Sequence, residues 1–150
     1  VNMLVNYPDY FAALVPIAAP LTVDQSGIDK LKNQPMWLIH TKADATVQPE
    51  NSVLPLYKSL ITSGATNKWF SYFETATGTD LPGTEYDGHW AWIYFFHDQV
   101  IGVQHPENTK NWDGYSGMVA TDPTNGGGSR ASVNGQTYNS IFDWMSAQRH

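Results

Sequence analysis

Short apolar runs, separated by polar stretches and one helical stripe, constrain this chain most. Ala12–Ala19 (Ala-Ala-Leu-Val-Pro-Ile-Ala-Ala) and Met36–His40 (Met-Trp-Leu-Ile-His) lack the polar alternation of a half-exposed strand. That pattern belongs to strands covered on both faces. Between them lies the polar segment Thr22–Asn33, where a short helix is expected at Gly27–Lys32. Pro49–Ser63 carries apolar residues at 53, 54, 56, 57, 60 and 61, a helical stripe closed by Gly64 as C-cap. Lys68–Glu74 alternates as a third strand. Strand, helix, strand, helix, with apolar strands, predicts an α/β fold with a mostly parallel sheet and helices on both faces. Pro16 cannot donate to a ladder and is expected near the end of its strand.

Three parallel strands would leave a strongly apolar edge unpaired, which invites aggregation. Residues 1–150 are therefore expected to form one partial domain, the C-terminal part of a larger sheet. The partner of Ala12–Ala19 is expected on an absent N-terminal segment or a second chain. Val1–Asn6 reads as the tail of a helix stopped by Tyr7-Pro8-Asp9, and Trp90–Val103 as a buried helix. Gln104–Gln136, rich in Pro, Gly, Asn, Asp and Ser with a Gly126-Gly127-Gly128 run, reads as an irregular insertion. A loop of that length is either functional or unstructured. A lid or substrate-contacting role, suggested by Trp112 and Tyr115, stands beside a plain solvated loop. Thr137–Gln148 is expected to close the domain as an amphipathic helix.

Composition narrows function. A net charge of −6, with eight scattered Lys and Arg residues, argues against nucleic acid, which needs clustered cations. No apolar run approaches the ~20 residues of a membrane-spanning helix. The absence of cysteine excludes disulfides, thiolate catalysis and Cys-ligated zinc, and is compatible with secretion or with the cytoplasm. No His-x-x-x-His spacing is present, so no metal is expected, and nothing calls for a cofactor.

Asp44 lies just past the carboxyl end of the Met36–His40 strand, where open α/β sheets collect functional residues. A carboxylate there can orient an imidazole; it can equally close a turn or cap a helix. His89 stands in Tyr86-Asp-Gly-His-Trp90, with Gly88 giving the backbone room to turn and Trp90 placed to wall the ring from water. It is a candidate base, or a buried or helix-capping histidine. Trp90 and Trp112 are candidate substrate-contacting aromatics, with core packing as the alternative. His40 and His97 are expected to be packing residues, and His105 carries no partner signal. Acid before histidine fits the order serine, acid, histidine of one hydrolase class. No serine here fits a nucleophile elbow: in Gly114-Tyr-Ser116-Gly117 a glycine comes one place early, and Ser129 is followed by Arg-Ala131.

Several segments resemble α/β-hydrolase esterases of the putative-esterase, polyhydroxybutyrate-depolymerase-like and prolyl-oligopeptidase-like groups. Asn2–Ala18, with its Tyr7-Pro8-Asp9-x-Phe11 turn, resembles the stretch after their nucleophile elbow. His40-Thr-Lys-Ala-Asp44-Ala-Thr-Val47-Gln-Pro49 resembles their His-Gly-x-x-Asp-x-x-Val-Pro acid motif, with Thr41 in place of glycine and Gln48 interposed. Gly88-His89-x-x-Trp92 resembles their histidine motif, and Ile141–Gln148 their closing helix. The resemblance implies the C-terminal part of a three-layer α/β-hydrolase sandwich, with Asp44 as orienting acid and His89 as general base. It places the serine just before Val1, and with it the oxyanion-hole donors. The expected activity is cleavage of a small or polymeric ester through an acyl-serine. A peptidase of the same fold and a non-catalytic binding module remain open, and residues 1–150 alone are expected to be inactive.

Overall fold

The computed structural model describes residues 2–7, 10–20, 22–78, 81–105 and 125–149. Trp112, Tyr115 and Ser116 lie outside them. The central unit is β1 (Met36–Thr41), a one-turn 3-10 helix at Pro49–Asn51, α3 (Val53–Thr62) and β2 (Lys68–Phe73). It is preceded by α1 (Asn2–Asn6) and α2 (Gln25–Leu31). β1 and β2 pair in parallel from Met36 opposite Lys68 to Thr41 opposite Phe73, and every residue of both is buried. Parallel strands need a crossover, and α3 supplies it.

The two-residue period of the strands divides the core. Met36, Leu38, Phe70 and Tyr72 pack with α2 and α3 through Ile28, Leu31, Val53, Leu54, Tyr57 and Leu60. Trp37, Ile39, Trp69 and Phe73 face Ala91, Tyr94, Val100, Val103, Ile141 and Trp144. Each large side chain so buried contributes about 2–3 kcal/mol. Buried indoles also need acceptors. Trp37 Nε1 donates to Ser71 Oγ at 2.8 Å, while Trp69 and Trp144 both donate to Asn67 Oδ1, at 2.9 and 2.8 Å. Asn67 thereby ties α5 (Ile141–Ala147) to the start of β2.

Both edges of this pair are engaged. Beyond β1, the expected strand Ala12–Ala19 reduces to two parallel bridges, Leu14 to Met36 and Ile17 to Ile39. Pro16 lies between these bridges rather than at the strand's end. There its carbonyl accepts from Ile39 N–H at 3.0 Å, a role that needs no donor of its own. Ala18, at φ 44°, then turns the chain away. Beyond β2, Gln104 N–H donates to Phe70 O and Tyr72 N–H to Gly126 O, both at 2.7 Å. The start of the expected insertion and Gly126 within it therefore belong to the sheet margin.

Two further expectations are corrected. The apolar run Trp90–Val103 is not one buried helix: α4 covers only Trp92–Phe96, and Phe96 is exposed. Asp98 adopts a left-handed φ of 53°, and Gln99 N–H closes back on Tyr94 O at 2.8 Å, the geometry of a helix stop. The remaining apolar residues then extend to pair with Ser129 through Val103. Nor is 104–136 uniformly irregular, because β5 (Ser132–Val133) and β6 (Gln136–Thr137) form a hairpin. Its turn, Asn134-Gly135, has φ of 51° and 82°, the tight two-residue connection that this dipeptide favours. The closing helix accordingly starts later than expected, at Ile141, with Ser140 as N-cap. A second small hairpin, β3 (Ala76–Thr77) with β4 (Glu85–Tyr86), hangs on Tyr94, whose hydroxyl donates to Thr75 O and accepts from Thr77 N–H.

Among the described residues Lys68 is the one buried lysine. Its ammonium donates to Lys32 O at 3.1 Å, Thr66 O at 2.9 Å and Gln34 O, using all three protons. Lys32 caps the C-terminus of α2, where a cation also offsets the helix dipole. Lys68→Met keeps the volume and strands three carbonyls, so it should lower unfolding free energy by roughly 2–4 kcal/mol in urea titrations.

Candidate active site

The acid turn grows out of β1. Parallel pairing continues past the strand, with Lys42 N–H donating to Phe73 O at 2.8 Å and Ala43 N–H to Glu74 O at 3.1 Å. The backbone that delivers Asp44 is thus held by the sheet. Asp44 is 2 % exposed. Its Oδ1 accepts from the amides of Thr46 at 2.9 Å and Val47 at 2.8 Å, folding the turn around the carboxylate. Oδ2 is left to face the histidine loop.

That loop is shaped by Asp87, which accepts His89 N–H on Oδ1 and Trp90 N–H on its carbonyl, at 2.8 and 2.9 Å. Gly88 presses directly on the acid turn: a Cβ there would lie 2.2 Å from Ala43 O and 2.7 Å from Asp44 N. Close backbone approach, not a left-handed φ, makes this position a glycine. Thr41 Oγ1, at the end of β1, donates to Gly88 O and fastens the histidine loop to the strand that carries the acid.

His89 Nδ1 and Asp44 Oδ2 meet at 3.0 Å. A carboxylate only accepts, so Nδ1 holds the proton and Nε2 of the neutral ring is left as the proton acceptor. The carboxylate is fully buried and the imidazole 28 % exposed, so the ring opens outward. Trp92 packs edge-on against it, with ring centroids 5.5 Å apart. Trp90, 43 % exposed, stacks on Tyr86 and Trp92 at 5.8 and 6.1 Å. The two residues chosen from sequence, 45 positions apart, are in contact.

His40 and Thr41 were not singled out by sequence. His40 is buried, as a packing residue should be, yet its Nε2 lies 3.2 Å from Asp44 Oδ2 and 2.8 Å from Val47 O. The sequence signal available was its position four before Asp44, at the last buried steps of β1. Burial lowers the His40 pKa below 6.5; the Val47 carbonyl, Asp44 and Glu50 pull the other way, and His89 adds to the lowering. His97 is not a core residue: it caps α4 in solvent, donating from Nδ1 to Ile93 O at 3.0 Å. His105 is exposed, and Ser129 pairs with Val103 through backbone bonds rather than standing at a strand-to-helix turn. Among the described residues no three His, Asp or Glu side chains converge as a metal site.

Among solved structures the chain is similar to a thermostable esterase, at 27 % identity and a TM-score of 0.53 over 65 % of this chain and 24 % of the esterase. The chain spans about a quarter of that esterase's length. No family model and no curated protein matches it. The fold is a mixed α/β arrangement with small sheets, similar to part of an esterase.

Gly88→Ala should force the two loops apart and cost about 1–3 kcal/mol in chemical denaturation, as overpacking does. Thr41→Val, which removes only the tie to Gly88 O, should cost about 1 kcal/mol. His40 also makes stability depend on pH. Below 6.5 the unfolded chain takes up a proton there that the folded chain resists, so the stabilisation is complete above 6.5 and declines as pH falls through that value. Urea midpoints between pH 7.5 and 5 should show wild type losing more than His40→Gln, by up to about 1.4 kcal/mol per pH unit.

Proposed function

We propose that this chain carries the acid and the histidine of a serine hydrolase, and that the enzyme is a carboxylesterase. The observation that supports it most is the Asp44 carboxylate, buried and held on Oδ1 by two amides, with Oδ2 on His89 Nδ1 at 3.0 Å. Such an acid fixes the tautomer and orientation of the ring, and stabilises the imidazolium that forms when Nε2 takes a proton. The similarity to an esterase structure agrees with the reading.

In this proposal the serine and the oxyanion-hole donors come from outside residues 1–150. His89 Nε2 removes the serine proton as the hydroxyl attacks the ester carbonyl, then returns it to the departing alkoxide. Water repeats the sequence on the acyl-serine, with His89 again as base, and releases the carboxylic acid. Asp44 remains ionised throughout. Trp90, exposed and stacked on the Trp92 that packs against the histidine, is the proposed contact for the substrate. Trp112, the other aromatic chosen from sequence, lies outside the described residues.

In the hydrolase that contains this chain, Asp44→Asn should lower kcat on a nitrophenyl ester by about 10⁴-fold, because the amide favours the wrong tautomer. His89→Ala should be no more active. Wild-type rates on an aminoacyl anilide should fall well below those on the ester; the opposite preference would make the enzyme a peptidase. Treating residues 1–150 with a fluorophosphonate should leave the mass unlabelled, and a labelled serine within them would refute the proposed origin of the nucleophile.

A further inference from the structure

The carboxylate of Asp44 touches two imidazoles, and only one has been given a role. His40 approaches Oδ2 from β1, within the strand, while His89 approaches it from the loop. The two contacts differ in kind. Val47 O lies 2.8 Å from His40 Nε2 and can only accept, so that nitrogen carries the proton. The same Val47 donates its amide to Asp44 Oδ1 at 2.8 Å. Val47 is thus held at both ends, by the acid through its N–H and by His40 through its carbonyl.

We propose that His40 is a positioning residue for the Asp44–His89 pair: its Nε2–H closes the 44–47 turn on the Val47 carbonyl and brings the positive end of an N–H dipole to Asp44 Oδ2. This rests on reading Asp44 and His89 as acid and base. The strand supplies the rigidity, because His40 sits opposite Tyr72 in the β1–β2 register and is 1 % exposed. A loop residue could offer the same donor but not the same fixed origin. Neutrality is part of the role. An imidazolium at His40 would draw on the charge of Asp44 and weaken its hold on the ring that must become charged during the reaction. The groups facing His40 are Asp44, His89, Glu50 and the Val47 carbonyl, and burial outweighs the carboxylates in keeping it neutral.

The tautomers of the two rings test this without any turnover. Long-range proton–nitrogen NMR spectra of the chain at pH 8, with ¹⁵N-histidine, should show His40 protonated on Nε2 and His89 on Nδ1. His40→Leu removes the donor, frees the turn and should shift His89 toward the Nε2–H form preferred by unrestrained imidazole. His40→Gln places an amide N–H near the same point and should retain the Nδ1–H form. A folded His40→Leu chain whose His89 keeps Nδ1–H would overturn the proposal. Should that variant not fold, wild type and His40→Gln decide: His40 protonated on Nδ1, or His89 losing Nδ1–H in His40→Gln, would equally overturn it. In the active hydrolase, His40→Leu should lower kcat about 10- to 100-fold at unchanged KM, the scale of a small misplacement of a catalytic group. Correct tautomers with no hydrolysis by the wild-type enzyme would leave the positioning role standing and reject the triad reading alone.

Discussion

Six consecutive parallel pairs between β1 and β2 support everything else described here. They set which residues face α2 and α3 and which face α4 and α5. The ladder does not end with the strands, because Lys42 and Ala43 continue to donate to Phe73 and Glu74. The backbone entering the acid turn is therefore as fixed as the sheet, and a carboxylate at position 44 inherits that precision. A one-residue slip would exchange the two faces, burying Lys68 away from its carbonyls and turning His40 away from Val47.

The period of the strand also explains how two neighbouring residues serve two loops. His40 and Thr41 point to opposite faces of β1. From one face His40 secures the 44–47 turn through Val47. From the other, Thr41 secures the histidine loop through Gly88. Gly88 permits the contact by omitting the Cβ that would strike Ala43. Acid and histidine thus meet at 3.0 Å between two loops anchored to the same strand end. Such anchoring is what loops need if they are to hold a reacting group in place.

Polar groups are bound into the core by the same economy of partners. Asn67 accepts two indole N–H groups and donates to Gln148, linking the start of β2 to the last helix. Ser71 receives the Trp37 indole and donates to Gly102 O, so the sheet margin is joined to the central strands from within. Tyr57 and Gln99 are the exceptions, the hydroxyl of one and Oε1 of the other buried without a partner among the described residues.

Sequence by itself determined the elements whose signal is local. The apolar run Met36–His40, the stripe of 53–61 and the turn after Asp44 specify strand, helix and acid loop, because side-chain period and turn chemistry act over a few residues. The order of acid and histidine singled out Asp44 and His89. Tertiary structure alone decided the rest. In Trp90–Val103 the polar run His97-Asp98-Gln99 is too short to break an apolar stretch on its own, and the left-handed turn at Asp98 together with the pairing of Val103 with Ser129 shows where helix gives way to extended chain. Asn134-Gly135 sits in a segment with loop composition, and its hairpin depends on strands of two residues each. His40 looks like any buried strand residue until the turn places Val47 O and Asp44 Oδ2 around its ring. Thr41 looks like a departure from a glycine until the histidine loop arrives above it. Those roles arise from contacts between residues far apart in the chain, and no local pattern encodes them.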